Sequence, residues 1–336
     1  MKYIYVFMLC TICLMSRAQT TSCLADLDNS GVVEVQDVLT LLSHFGCTTD
    51  CGDSDINSDE IVNVTDVLLV LSVFSTSCQS EETLGYNMLL MGHSFFKPYA
   101  NRIGELATDA GFVNHTQAFV FEGGADGYPI SLWNDTGSDN QLIKAILDNG
   151  VVDVFGMVAD TRQIANESLN GHRYWIEYAL QNNPDVTVFL SISAPSSPAN
   201  WEQMAEGLGY ETVQEAYAAH ITQDAHVALI DTLRAEFPST NIFSIPTGKA
   251  SVNLWQMYQD DLLQDDIEYV GEFENALFTD AFGHQGEMTA QTGALMWLKG
   301  IYNVDLTTNG FDTGFNTDLH TVAEEAMNSH DPDYNQ

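Results

Sequence analysis

The stretch NMLLMGHSFFKPYANRIGELATDAG, residues 87–111, decides the fold. It begins as a short, unbroken apolar run and continues as PYANRIGELATDAG, whose apolar residues recur along one face of a helix. An all-apolar run reads as a strand buried on both faces, and a strand handing over directly to a helix is half of a β-α-β unit. The alternation then repeats. QAFVF (117–121), VVDVFGMV (151–158), VTVFLSIS (186–193) and NIFSI (241–245) are further strand candidates, separated by amphipathic stretches such as QLIKAILDNG, HRYWIEYALQNN and AHVALIDTLRAEF. Strands joined by helices run parallel, with right-handed crossovers and a helical layer on each face. Residues 86–332 are therefore expected to form an α/β domain, a three-layer α/β/α sandwich on a parallel, flavodoxin-like sheet.

In such sheets ligands gather where strands end. Ser94 sits there, just past the first strand and at the mouth of the first helix, as a nucleophile or as a plain N-cap. Gly123 and Gly124 follow the second strand, where a main-chain N–H can approach a substrate or the chain can simply turn. Near the other end, FTDAFGHQGEMTAQTGALMW (278–297) places Asp280 and His284 in a turn before a helix. A histidine oriented by a carboxylate is the base a serine needs to attack a carbonyl.

That order, on that sheet, resembles the SGNH (GDSL-type) hydrolase family. The matching pieces are Gly92-His93-Ser94, the Gly123-Gly124 turn, Asp280 with His284, and the helix after them. The resemblance implies an esterase with Ser94 as nucleophile, His284 as base, Asp280 as its orienting acid, and the N–H groups of Ser94 and Gly124 (or Gly123) as oxyanion donors. Two features depart from the family. FGMVADTRQIAN (155–166) lacks the Gly-x-Asn-Asp block, leaving Asp160, Thr161 or Arg162 nearest to its place. Asp280 and His284 are also one residue further apart than the usual Asp-x-x-His. The loop bulges, another acid orients the histidine, or the domain has drifted from hydrolysis. His172, His220, His226, His320 and His330 show no metal-ligand spacing and read as ordinary helix or loop residues. Tyr128, Trp133, Trp175 and Trp201 read as core or as stacking faces for a sugar.

The N-terminal region is built differently. ADLDNSGVVEVQDVLTLLSHFG (25–46) and SDINSDEIVNVTDVLLVLSVFS (54–75) are two copies of one loop–helix pattern. Asp26, Asp28, Ser30 and Asp37 take loop positions 1, 3, 5 and 12 in the first, and Asp55, Asn57, Asp59 and Asp66 take them in the second. With the carbonyls of Val32 and Ile61 at position 7, these hard oxygen donors suit two structural Ca²⁺ ions. Gly31 stands at the sharp turn of the first loop and Glu60 at that of the second. From Gln19 to Leu84 there are 12 acidic residues and no Lys or Arg, a charge density that calls for cations.

These paired loops, over residues 23–78, resemble the dockerin family, which folds around two Ca²⁺ and attaches enzymes to cohesin partners. The resemblance implies a small all-α calcium module and a cohesin-like or cell-surface partner. Its helices lack the basic residues often found at dockerin contact positions. Cys23, Cys47, Cys51 and Cys78 bracket the two copies. The symmetric pairing is Cys23–Cys47 with Cys51–Cys78, one of three possible connectivities. Residues 79–85, QSEETLG, read as a linker.

Residues 1–18, MKYIYVFMLCTICLMSRA, carry an early lysine, a short apolar run and small residues before Gln19, the pattern of a secretory signal peptide. No later segment is long and apolar enough to span a membrane. The 47 acidic residues against 10 basic ones, a net charge of -37, disfavour nucleic acid and anionic membranes as partners. The expectation is a secreted, extracellular serine esterase acting on carboxylic esters, acylated polysaccharide among them. The alternative is a non-catalytic carbohydrate- or partner-binding protein of the same fold, attached through its calcium module.

Overall fold

The structure, a computed structural model, describes residues 24–28, 30–49, 51–76, 83–161 and 167–336. The expected leader at 1–18 lies outside the described residues. The chain divides into two compact units, Met1–Glu82 and Thr83–Gln336.

In the smaller unit each copy of the repeat gives one helix, α1 (Val35–Ser43) and α2 (Val64–Ser72). Val33 and Leu41 of the first copy pack with Val62 and Val70 of the second in a small shared core. The buried Asp37 carboxylate accepts hydrogen bonds from the N–H groups of Leu27, Asp28 and Glu34 (2.7, 3.1 and 2.7 Å). Asp66 does the same for Ile56, Asn57 and Asn63 (3.1, 3.3 and 2.8 Å). One acid per copy thus ties the start of its loop to the start of its helix, which satisfies N–H groups that a helix leaves open. At the turn, Gly31 has φ +84° and Glu60 has φ +69°. The second loop therefore keeps the shape of the first, with a left-handed residue that costs a side-chain-bearing amino acid about 1–2 kcal/mol.

The cysteine pairing differs from the symmetric expectation. Cys47 bonds to Cys51, with Cα atoms 5.6 Å apart, and this single bond overturns both Cys23–Cys47 and Cys51–Cys78. The reason is local: the tight turn between the copies brings its two flanking cysteines within disulfide reach before either meets a distant partner. Cys23 and Cys78 lie outside the described residues.

The larger unit is built on five strands: β1 (Asn87–Gly92), β2 (Thr116–Phe121), β3 (Val154–Val158), β4 (Thr187–Ser191) and β5 (Ile242–Ile245). They form one parallel sheet in the order β2-β1-β3-β4-β5, with Leu89 in register between Ala118 and Phe155. Each strand coincides with an apolar run of the sequence, as burial on both faces requires. The chain first steps outward from β1 to β2 and then back across β1 to β3. Right-handed crossovers then place the connecting helices α3 (Ile103–Asp109) and α4 (Ser138–Leu147) on opposite faces. Helix α5 (Glu167–Asn182) joins β3 to β4, α6 (Gly248–Gln259) follows β5, and α7 (Glu287–Tyr302) and α8 (Leu319–Asn328) close the chain.

On the α3 side, α7 lies against α3, and Phe96, Phe189 and Trp297 pack with ring centroids 4.7–6.4 Å apart. Burying a ring of this size stabilises by about 1.5–3 kcal/mol. On the other side α5 packs on α4 and on the short helix Pro129–Asn134, where the buried Trp175 donates its indole N–H to the Pro129 carbonyl at 2.9 Å. Trp175 and Trp201 are core residues. The reversal of direction at β1 opens a crevice beyond the carboxyl ends of β1 and β3, the place where such sheets hold ligands.

Candidate active site

Ser94 is the second residue after β1 and lies in the turn that leads to the helical turn Lys97–Ala100. That turn is fixed by its neighbours: the N–H of Phe96 donates to the His93 carbonyl at 2.9 Å, and that of Phe95 to His93 Nδ1 at 3.2 Å. The Ser94 side chain is left to face outward, and His284 Nε2 lies 2.8 Å from its Oγ. His284 Nδ1 is 2.7 Å from Asp280 Oδ2. The three residues, separated by most of the domain in sequence, form one continuous hydrogen-bonded chain.

The loop that carries the base and the acid explains how the extra residue is absorbed. Asp280 Oδ1 accepts the N–H groups of Phe282, Gly283 and His284 at 3.0, 3.0 and 3.2 Å, while Oδ2 holds the imidazole. The N–H of Thr279 closes the turn onto the His284 carbonyl at 2.8 Å. Gly283, at φ +100°, supplies the bend. A β-carbon there would lie 2.8 Å from Pro198 Cδ. The loop bulges, and Asp280 itself is the acid bonded to His284. Burial works to raise the Asp280 pKa, but the hydrogen bonds from the His284 ring, from the His284 N–H and from Gly283 outweigh it and hold the carboxyl below its usual range. An ionised Asp280 fixes the proton on Nδ1 and leaves Nε2 to receive one from Ser94. The imidazole packs beside the rings of Phe95 and Phe282, with centroids 5.0 and 5.7 Å away.

Ser94 opens onto a cavity of about 480 Å³, lined also by Gly124, Tyr128, Thr161, Ser193 and His220. Among the described residues, neither the Ser94 nor the Gly124 N–H donates to another main-chain group, so both are available to a developing oxyanion. Gly124 has φ +58°. Gly123 is not part of the cavity wall. A neighbour that pattern reading passed over does the close packing: a β-carbon on Gly127 would lie 2.5 Å from the Glu122 carbonyl oxygen and 2.7 Å from that of Gly92. Gly127 thereby lets the Gly124–Gly127 turn lie against the Ser94 turn. After β3, Thr161 lines the cavity and Asp160 is buried; Arg162 lies outside the described residues.

On another wall, the sequence marks AHVALIDTLRAEF (225–237) as amphipathic and His220 as an ordinary helix or loop residue. The rod from Val213 to Glu236 contains two π-helical segments, Tyr217–Thr222 and His226–Ile230, and the first presents His220 and Ile221 to the cavity. Wide turns of this kind recur at functional sites because they re-aim side chains. No residue type marks them in the sequence.

No protein-family model and no curated protein matches the chain. Among solved structures it is similar to a DUF4886 family protein from Bacteroides uniformis, at 13% identity over 73% of this chain and 95% of that one, with a TM-score of 0.45. It is also similar to the periplasmic domain of a lipopolysaccharide acetyltransferase from Salmonella ser. Paratyphi A, at 11% identity over 66% and 84% of the two chains, with a TM-score of 0.41. The chemistry of the site rests on its own geometry.

In the smaller unit Asp26, Asp28 and Asp37 bring carboxylate oxygens within 4.8 Å of one another, and so do Asp55, Asp59 and Asp66. Ser30 and Asn57 stand in the same loops. The Ser30 hydroxyl donates to the Val32 carbonyl at 3.0 Å, and the Asn57 amide to Asp59 at 3.0 Å. The Ile61 carbonyl accepts from the Asn63 amide at 3.1 Å. The donor set is all hard oxygen and suits Ca²⁺. Among the described residues no helix is long and apolar enough to cross a membrane; the Cys47–Cys51 bond is of a kind that persists in oxidising surroundings.

Proposed function

We propose that the chain is an exported serine esterase that hydrolyses carboxylic esters through an acyl-enzyme on Ser94. The observation that carries this reading is the unbroken chain from Ser94 Oγ through His284 to Asp280, with links of 2.8 and 2.7 Å, at the edge of a cavity of about 480 Å³. Ser94 Oγ attacks the ester carbonyl carbon and His284 Nε2 takes its proton. Asp280 keeps the imidazole oriented and balances the charge it gains. The Ser94 and Gly124 N–H groups hold the oxyanion. Collapse breaks the bond to the alcohol, which leaves with the proton from His284. Water, deprotonated by the same histidine, then attacks the acyl-enzyme and releases the acid.

In the smaller unit, Asp26, Asp28, Ser30, Asp37 and the Val32 carbonyl would hold one Ca²⁺, and Asp55, Asn57, Asp59, Asp66 and the Ile61 carbonyl a second. The ion would neutralise carboxylates that otherwise repel one another. A second reading gives this unit an attachment role towards a cohesin-like or cell-surface partner. It is favoured by two matching exposed rows, Val35, Leu39, Leu42 and Phe45 on one copy and Val64, Leu68, Leu71 and Phe74 on the other, since paired apolar rows on a soluble unit mark contact surfaces.

Hydrolysis of p-nitrophenyl acetate by the full chain tests the esterase reading. Ser94→Ala and His284→Ala are expected to lose at least 10³-fold in kcat/KM, and Asp280→Asn on the order of 10⁴-fold. Turnover that survives Ser94→Ala, or none in the parent, overturns it.

A further inference from the structure

Most cations among the described residues are accounted for by partners. Arg102, Arg173 and Lys299 pair with Glu287, Glu236 and Glu324. Lys97 and Lys144 lie over the rings of Phe121 and Trp133, and Arg234 donates to the carbonyls of Ile242 and Asp333. Lys249 differs. Its ammonium group donates to the Ser329 hydroxyl, and among the described residues no carboxylate lies within 4.0 Å of it. Burial pushes its pKa down. In a chain of net charge -37, a partly buried ammonium with no acid beside it is out of keeping with its surroundings.

Lys249 lines a cavity of about 180 Å³ together with Thr222, His226, His330 and Asp331. It stands in the first turn of α6, so the positive end of that helix dipole adds to its field. Both histidines are almost wholly buried, and each turns Nε2 to the Ser244 hydroxyl, at 3.0 Å from His226 and 3.1 Å from His330. A hydroxyl has one proton and two lone pairs, so it can donate to one ring and accept from the other, or accept from both. In the first arrangement the rings are opposite tautomers and one carries its hydrogen on Nδ1. Among the described residues, His226 Nδ1 is buried and has no partner. The pocket thus sets a lysine ammonium and two imidazole rings against a single acid on its wall, Asp331.

We propose that this cavity binds a small oxyanion, of the size and chemistry of inorganic phosphate or a short carboxylate. The anion pairs with Lys249, and its charge favours protonation of the imidazole rings that line the same cavity. Asp331 and Asp231 act on His226 in the same sense and Arg234 in the opposite one. Lys249 and His226 itself oppose protonation of His330.

The test follows the Hε1 resonances of His226 and His330 in the full chain by NMR. Sodium phosphate and sodium acetate are titrated separately against sodium chloride of equal ionic strength. Saturable shifts of both rings are expected, with their titration midpoints raised by roughly one pH unit or more. Lys249→Gln should weaken binding at least tenfold, about 1.4 kcal/mol, while Lys249→Arg, which keeps the charge, should retain it. Whichever anion saturates at lower concentration identifies the source. No saturable shift with either anion up to about 50 mM, or equal shifts in Lys249→Gln, overturns the proposal. Esterase activity is not part of this readout, so the two readings stand or fall separately.

Discussion

At φ +100°, and 2.8 Å from Pro198 Cδ once a β-carbon is added, position 283 admits glycine and little else. The interval between Asp280 and His284 depends on this bend, because it lets one carboxylate cap three N–H groups and still grip the imidazole. Gly283→Ala is therefore expected to lower kcat for p-nitrophenyl acetate by roughly tenfold or more, since a displacement of about 1 Å at a reacting group costs rate heavily. Thermal unfolding of the variant should remain cooperative, and its circular dichroism should match the parent; an unaltered kcat would show that the loop tolerates another path. Ser94, Asp280 and His284 were legible in the sequence because each residue type in that order has a chemical use. The bulge was one of three alternatives there, and the choice among them rests on contacts within the folded loop and on Pro198, far away in the chain. Gly127 went unread for a related reason: besides the nearby Glu122 carbonyl, it avoids the main chain of Gly92 and His93 at another strand's end.

Each calcium-type loop is a local element, and its sequence largely dictates its shape. Where they differ, at Gly31 and Glu60, both are left-handed. Glu60→Gly removes the side-chain penalty and is expected to stabilise the smaller unit by about 1 kcal/mol and to tighten the second loop's affinity for Ca²⁺. Calcium titration of the full chain, followed by amide hydrogen exchange at α1 and α2, checks both effects. Chelation should speed exchange in these helices and leave β1 to β5 protected. Equal exchange with and without Ca²⁺ would count against an ion in the loops. The disulfide shows the limit of reading elements from a pattern. The symmetry of the repeat favoured bonds within each copy, whereas the turn between the copies brought Cys47 to Cys51. The π-helical segments were also illegible, since a helix with an extra residue per turn has no distinct composition.

For the whole molecule, acid stability follows from two buried histidines. Burial pushes His226 and His330 down to about 4, below the ordinary value of about 6.5. Between these values the unfolded chain binds more protons than the folded one, so stability falls as pH drops through the window, by up to about 1.4 kcal/mol per pH unit for each ring. Asp280 acts in the same sense at lower pH: its depressed value adds stability above the ordinary carboxylate range, which is lost as pH falls through it. Protonating the many carboxylates also relieves repulsion, in parent and variant alike. In buffers free of small oxyanions, the parent's unfolding midpoint should therefore fall more steeply from pH 6.5 to 4 than that of the His226→Gln/His330→Gln double variant. Parallel slopes would mean that the rings are not held neutral.

The sequence by itself determined the parallel sheet, the position of the serine at a strand end, the duplicated acidic loops and the strong negative charge. These are properties of short segments, where periodicity, ligand spacing and composition act over a few residues. Only the tertiary structure decided that His284 meets Ser94, that Asp280 rather than another acid holds it, that Cys47 pairs with Cys51, and that Lys249 shares a cavity with two histidines. Those outcomes depend on distances between segments far apart in the chain. Crossover handedness and core packing set these distances, and no local pattern encodes them.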